Sequence, residues 1–268
     1  MYYLATMPTE DEIVSYYKND YYQFPFYLDL IKRAFRRSRS VSQTRYIRDA
    51  IHLRGGKVLE VGACDGMLLK QFAVENHVVG IELSDKYRER AKSKYNIDLL
   101  DENFDKFEGE FDLVIMSHVL EHFPDIAATM KKVANLLKPG AYFFVEVPNS
   151  PRPEERTAEE IKTYLHGAHT FNFTVDSLAA LLRTHGFEVI AMCRLTYNVP
   201  SFYSSHRRQR LGQILIGGCP FSLKYAADVL VYLLKILASP HLGFRKLSSL
   251  KEPYEGPGDM LRVVAQRQ

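Results

Sequence analysis

Two acids and two glycines carry the first chemical signal in this sequence. Glu60, Gly62 and Gly66 lie in the stretch Val58-Leu59-Glu60-Val61-Gly62-Ala63-Cys64-Asp65-Gly66, and Glu82 closes the next apolar run, Val78-Val79-Gly80-Ile81. A carboxylate at that second place can accept both hydroxyls of a ribose. The glycines let backbone or ligand approach where a Cβ would clash. Together they suit a nucleotide-like ligand held where a strand meets a helix. The plainer reading of Glu82 is an ordinary surface carboxylate. The spacing G-x-G-x-x-G, which cradles a dinucleotide pyrophosphate, is absent, and this disfavours a nicotinamide cofactor.

Other reactive groups are scattered. Cys64 sits near a helix start, where a thiol pKa can fall. His118 and His122 are four apart, a spacing that could place both on one helix face as a metal pair. Lys32, Arg33, Arg36, Arg37, Arg39, Arg45 and Arg48 form a basic run. Such a run is a solvated helix face, or a site for a phosphate-bearing substrate, since guanidinium grips phosphate with two hydrogen bonds.

The elements that must position these groups follow from apolar periodicity. Residues 57–61, 78–81, 97–100 (weaker), 111–116, 141–147 and 187–195 read as strands. Helices fall between them at 66–74, 86–95, 126–137 and 177–184, the last capped by Thr174 or Asp176. Lys138-Pro139-Gly140 reads as a helix stop. Strands alternating with helices predict an α/β fold, a mostly parallel sheet with helices on both faces. Residues 1–54 read as a helical N-terminal cap without sheet, broken near Asn19-Asp20 and Pro25. Its aromatics, Tyr16 to Tyr27, either pack on the core or line a substrate cavity. The core covers 55–198, a helical insertion or lid covers 199–257, and 258–268 supplies the last strand.

Composition bounds the partners. A chain of 268 residues with formal net charge +3 has no charge argument for nucleic acid. Cys64, Cys193 and Cys219 form no CxxC pair, which argues against a disulfide framework or structural zinc and for a reducing cytoplasm. The N-terminus lacks an apolar signal-peptide core. Residues 221–238 are apolar but carry Lys224, Asp228 and Lys235, a poor transmembrane span. They read as a buried lid or homodimer helix, with a membrane-surface helix as the alternative.

These motifs together resemble class I S-adenosylmethionine-dependent methyltransferases. The resemblance rests on Val58–Gly66, on Val79-Gly80-Ile81-Glu82, on Phe111–His122 with its Ser117-His118-Val119-Leu120-Glu121-His122-Phe123, and on Leu136–Gly140. It implies a Rossmann-like sheet of seven strands, the last one antiparallel, with S-adenosylmethionine over the strand ends. It also implies the site. Glu60 and Gly62 would hold the methionine amino group. Ala63, Cys64, Asp65 and Gly66 would form the loop beside sulfonium and ribose. Glu82 would bind the ribose diol and Leu83 the adenine. Asn103 and Phe104 would lie near the adenine edge. Ser117 and His118 would face the methionine and the methyl group. Many members carry glycine where this chain has Cys64. Glu121 and Pro124-Asp125 fit the family's loop, so no metal is expected.

His166-Gly167-Ala168-His169 before an aromatic turn is similar to methyltransferases that act on sugars and small polar metabolites. Sugar C-methyltransferases carry a longer Tyr-His-Glu-His pattern and zinc cysteines, absent here. Transfer to oxygen of a sugar, glycoconjugate or other small polar metabolite is therefore expected, with His169 or His118 as general base. A non-catalytic cofactor- or partner-binding protein and a nicotinamide oxidoreductase are the alternatives.

Overall fold

The structure, a computed structural model, describes residues 26–150, 169–195 and 260–268, with residues 2, 3, 8, 9, 12 and 15 before them. The aromatic cluster at 16–24, His166 and the 199–257 insertion with its apolar segment lie outside the described residues.

Eight strands and five helices are described. They run β1 (Tyr2–Tyr3), α1 (Phe26–Ala50), β2 (Lys57–Val61), α2 (Leu69–Phe72), β3 (His77–Ile81), α3 (Asp85–Tyr95), β4 (Phe111–Ser117), α4 (Ile126–Leu136), β5 (Leu137–Pro148), β6 (Phe171–Asn172), α5 (Val175–Thr184), β7 (Phe187–Leu195) and β8 (Met260–Arg267). Short 3-10 turns at Phe104–Lys106 and Leu120–His122 follow the switch from strand to loop.

Six strands form one sheet in the order β3-β2-β4-β5-β8-β7. The pairs β2–β3, β2–β4 and β4–β5 are parallel, and β8 is antiparallel to both β5 and β7. The expected strand at 97–100 is reduced to one parallel bridge, Ile81 to Leu100, at the β3 edge. It marks the seventh position of the sheet without extending it.

Alternation explains the layering. Successive strand side chains point to opposite faces. On β4, Val114 and Met116 join Phe143, Val145 and the helices α4 and α5 on one side. Leu113 and Ile115 join Phe144, Tyr46 and Ile47 of α1, and Leu69 and Phe72 on the other. Both faces of the central strands are covered, so β4 reads as a continuous apolar run.

Three local expectations change. Residues 1–54 do contribute sheet, because Tyr2 and Tyr3 pair antiparallel with Asn172 and Phe171. The helix expected over 66–74 shrinks to Leu69–Phe72, flanked by turns. The Lys138-Pro139-Gly140 stop lies inside β5 rather than before it, because Leu137 is already extended and pairs with Phe111. For α5, Thr174 is the cap, and its side chain exchanges hydrogen bonds with Ser177 in a capping box.

Candidate active site

The strand order fixes where a ligand can enter. The chain leaves β2 for β3 on one side, then returns to β4 on the other. The carboxyl ends of β2 and β4 therefore diverge, and open α/β sheets bind ligands at such a switch point.

Beyond β2 the chain turns within four residues. Gly62 has φ +68°, and a Cβ there would meet Val119 Cγ2 at 2.6 Å. Glycine is the residue that tolerates both the left-handed backbone and the crowding. The Gly66 N–H donates to Ala63 O at 2.8 Å to close the turn. Between them Cys64 has φ +53°. A left-handed backbone costs a residue with a Cβ about 1–2 kcal/mol, a cost that glycine at this position would avoid.

A cavity opens over this turn. Glu60, Gly62, Ala63, Cys64 and Asp65 line one wall, Arg36, Arg39, Ser40 and Gln43 of α1 the other, with Ser117 at the end of β4. Glu60 is buried. It accepts a hydrogen bond from the Leu69 N–H, but its Oε2 has no hydrogen-bond partner. Burial pushes its carboxyl well above the ordinary value. Asp65 is 1% exposed and pairs with Arg36 at 3.3 Å.

Glu82 stands behind the turn. Its Oε2 accepts from the Cys64 N–H at 2.8 Å and its Oε1 from the Ser84 N–H at 2.9 Å. Burial raises its carboxyl, and those two N–H groups oppose the rise. Leu83 is half-buried beside it. Asn103 caps the following 3-10 turn through its Oδ1, which accepts from the Asp105 N–H at 2.9 Å. Phe104 is buried against Phe123, ring centroids 5.3 Å apart. Thus Glu60, Gly62, Ala63, Cys64, Asp65 and Ser117 share one cavity, Gly66 and Glu82 brace it, and Asn103 and Phe104 are engaged elsewhere.

The surroundings of Cys64 work against a reactive thiol. Enclosure of the thiol pushes its pKa up to about 12, opposed only in part by Arg36. A raised pKa disfavours the thiolate that nucleophilic chemistry needs at neutral pH.

A buried charge network underlies the cavity, and the sequence reading missed it. Arg262 of β8 donates through Nε to Glu146 Oε2 of β5 at 2.5 Å, with both side chains fully buried. Gln43 Nε2 donates to Glu146 Oε1 at 2.9 Å and to Ser117 Oγ at 2.7 Å. His118, at φ +58°, places Nε2 3.3 Å from Glu146 and Nδ1 3.5 Å from Glu121. Burial alone would lower the His118 pKa, but its bonds to Glu121 and Glu146 outweigh that and raise it. The signal in the sequence was a charged residue inside each of two apolar strand runs, Tyr142–Val147 and Met260–Ala265. The α1 residues gave no such signal, because Arg36, Ser40 and Gln43 are polar and only the structure shows that they, with Ile47, form a buried face at helical spacing.

His169 lies outside the cavity lining and beside His122, with ring centroids 4.9 Å apart. Thr170 fixes it there. Its N–H and Oγ1 both donate to Glu121 O at 2.8 Å, and Oγ1 also bonds Phe123 O at 2.7 Å. Ligand atoms of Glu121, His122 and His169 lie within 4.8 Å of one another. Ligands about 2.1 Å from a zinc ion stand at most roughly 4.2 Å apart, so the trio must contract to hold one. As it stands it is an acid–imidazole cluster.

Among the described residues, no helix is long and apolar enough to cross a membrane.

A family model described as a methyltransferase domain matches residues 20–192. Among curated relatives, the ubiquinone biosynthesis O-methyltransferase of Saccharophagus degradans is 31% identical over 173 residues, covering 58% of this chain and 73% of the relative. That of Thiobacillus denitrificans is 29% identical over 171 residues, covering 58% and 74%. Among solved structures, an S-adenosylmethionine-dependent methyltransferase from Thermotoga maritima, a possible histamine N-methyltransferase, superposes with TM-score 0.57 at 17% identity, over 90% of this chain and 97% of that one. Magnesium protoporphyrin IX methyltransferase from Synechocystis, solved with bound SAH, gives 0.55 at 16% identity, over 73% and 95%. At such identities these two likenesses are of fold.

Proposed function

Because this chain belongs to the methyltransferase domain family and is a class I S-adenosylmethionine-dependent methyltransferase, we propose that it methylates a hydroxyl oxygen of a small molecule. One observation carries the cofactor site. The buried, unpartnered Oε2 of Glu60 faces the cavity at the β2–β4 switch point. A buried polar atom without a partner costs about 1–3 kcal/mol, and an ammonium group would relieve it. The residues present therefore fit the cofactor. Glu60 and Gly62 would hold its amino group, and Glu82, Ala63, Cys64 and Asp65 would frame its ribose. Transfer to oxygen is supported by the relatives named O-methyltransferases at about 30% identity.

When bound, S-adenosylmethionine supplies a methyl group already activated on a sulfonium. The chain's own task is then to align the acceptor and remove its proton, which is mainly a proximity effect. The carboxylates of Glu121 and Glu146 beside His118 raise its pKa and so favour its protonated form, a poor state for a base. We assign proton removal to His169 and the bracing of the cavity floor to His118 beside Glu146, which Gln43 links to Ser117. The acceptor pocket is assigned to the N-terminal aromatics and the 199–257 insertion, with a sugar or glycoconjugate hydroxyl among the candidate acceptors.

The experiment is a screen with labelled cofactor across phenols, sugars, nucleotide sugars and glycolipids. Label on an acceptor oxygen is the expected result, and label only on nitrogen or carbon overturns it. His169→Ala should keep cofactor affinity and lower turnover about 10²–10⁴-fold, the usual share of a general base. A loss below about tenfold would reject His169.

A further inference from the structure

We propose that Glu121 is a positioning residue for His169, its buried carboxylate holding the imidazolium that forms when His169 takes the proton of the acceptor hydroxyl. The proposal rests on the reading of His169 as the base. It concerns an acid that the sequence pattern placed only within a loop.

Glu121 lies in the 3-10 turn Leu120–His122 and is 1% exposed. The fold uses its backbone. Glu121 O accepts from the Thr170 N–H and Oγ1, both at 2.8 Å, so the turn is tied to the residue after His169. The carboxylate has no part in that tie. Both its oxygens are buried, and neither has a hydrogen-bond partner of good geometry. Packing alone does not account for a buried polar group in that state. Imidazoles surround it instead. His118 Nδ1 stands 3.5 Å and His122 Nε2 3.8 Å from Oε1, and a carboxylate oxygen lies within 4.8 Å of a ring nitrogen of His169. His118 divides its ring between Glu121 and Glu146 of β5, and Glu146 is paired in turn with Arg262 of β8. Burial alone would raise the Glu121 carboxyl, but His118, His122 and His169 outweigh it and hold the group below its ordinary value.

Methyl transfer to a hydroxyl moves one positive charge. The sulfonium becomes a neutral sulfide, and the hydroxyl proton turns His169 into an imidazolium. A cation formed away from bulk water needs an anion beside it. A carboxylate within about 4–6 Å favours the charged imidazole, and Glu121 stands ready in that range, tied to the same segment through Thr170. The turn also begins beside the cavity, because Val119 lies against Gly62.

Histidine NMR on the full chain tests this, with carbon-13-labelled imidazoles, saturating S-adenosylhomocysteine and a chelator present. The His169 signal, assigned through its loss in His169→Gln, should titrate at least about half a pH unit lower in Glu121→Gln than in the unsubstituted protein. The sign follows because loss of a carboxylate favours the neutral imidazole. Glu121→Asp should recover part of the shift. Calorimetry should find S-adenosylhomocysteine affinity within about twofold in both Glu121 variants, which shows that they are folded. A His169 titration that Glu121→Gln leaves in place overturns the proposal. Loss of S-adenosylhomocysteine binding in both variants also overturns it, since the carboxylate then serves the fold. The base reading is judged separately. If His169→Ala lowers turnover by less than about tenfold, that reading falls and takes the proposal with it. If His169→Ala costs about 10²–10⁴-fold while the titration stays in place, only the Glu121 proposal falls.

Discussion

At the scale of single residues, burial sets the chemistry of the cavity. Glu60 is an acid held where its charge is poorly solvated. At neutral pH the unfolded carboxyl is ionised, while the folded one is pulled toward its neutral form. Its folded pKa lies above its unfolded one, so its contribution is fully present below the unfolded pKa and is lost as pH rises. Glu60→Gln removes that cost and keeps an acceptor for the Leu69 N–H. The ligand-free variant should melt a few degrees higher, on the order of 1 kcal/mol, and bind S-adenosylhomocysteine at least about tenfold more weakly. A lower melting point with unchanged affinity would contradict this. Cys64 follows the same sign. With its thiol pushed up to about 12, the stability it lends is complete below roughly pH 8.5 and is lost as pH climbs beyond that. Peptide mapping after iodoacetamide treatment at pH 8 should find Cys64 alkylated about a hundredfold or more slowly than a free cysteine peptide. The identity of these residues was legible in the sequence. The raised thiol pKa was not, because it comes from what encloses the sulfur, not from its neighbours in the chain.

At the scale of elements, two contacts between distant segments hold the site in register. Glu146 of β5 and Arg262 of β8 face each other across the ladder, and their side chains meet in the dry core. Burial alone would raise the Glu146 carboxyl, but Arg262 and His118 outweigh it and hold the group far below the usual carboxylate range. Arg262→Met would strand that charge and should cost about 3–5 kcal/mol in a urea titration. A loss under about 1 kcal/mol would show that Glu146 is carried by Gln43 and His118 alone. The second contact is β1 on β6, immediately after His169-Thr170. Deleting residues 1–7 should leave S-adenosylhomocysteine affinity within about twofold and lower turnover, because the strand backs the segment that carries His169. Unchanged turnover would mean that Thr170 alone fixes His169. Neither contact follows from local pattern. A dipeptide strand has too few residues for periodicity, and a lone arginine in an apolar run does not name its partner.

At the scale of the whole molecule, the sheet order brings three stretches of chain to one cavity. A ligand that binds only the folded state stabilises it by mass action, about 2.7 kcal/mol at a hundred times its Kd. S-adenosylhomocysteine should therefore raise the melting temperature, and NAD at the same concentration should not. An equal shift with NAD would reopen the dinucleotide reading. By itself the sequence determined the alternation of strand and helix, the turn at Gly62–Gly66 and the acid after β3, while its family resemblance implied the cofactor. Those are local matters, set by side-chain period, by backbone that needs glycine, and by short spacings. Only the tertiary structure decided that α1 closes the cavity, with Arg36 paired to Asp65 and Arg39, Ser40 and Gln43 lining the same wall. Only it decided that His118 is flanked by Glu121 and Glu146. Those facts depend on which faces meet when residues far apart in the chain are buried together, and that depends on packing rather than on any spacing along the chain.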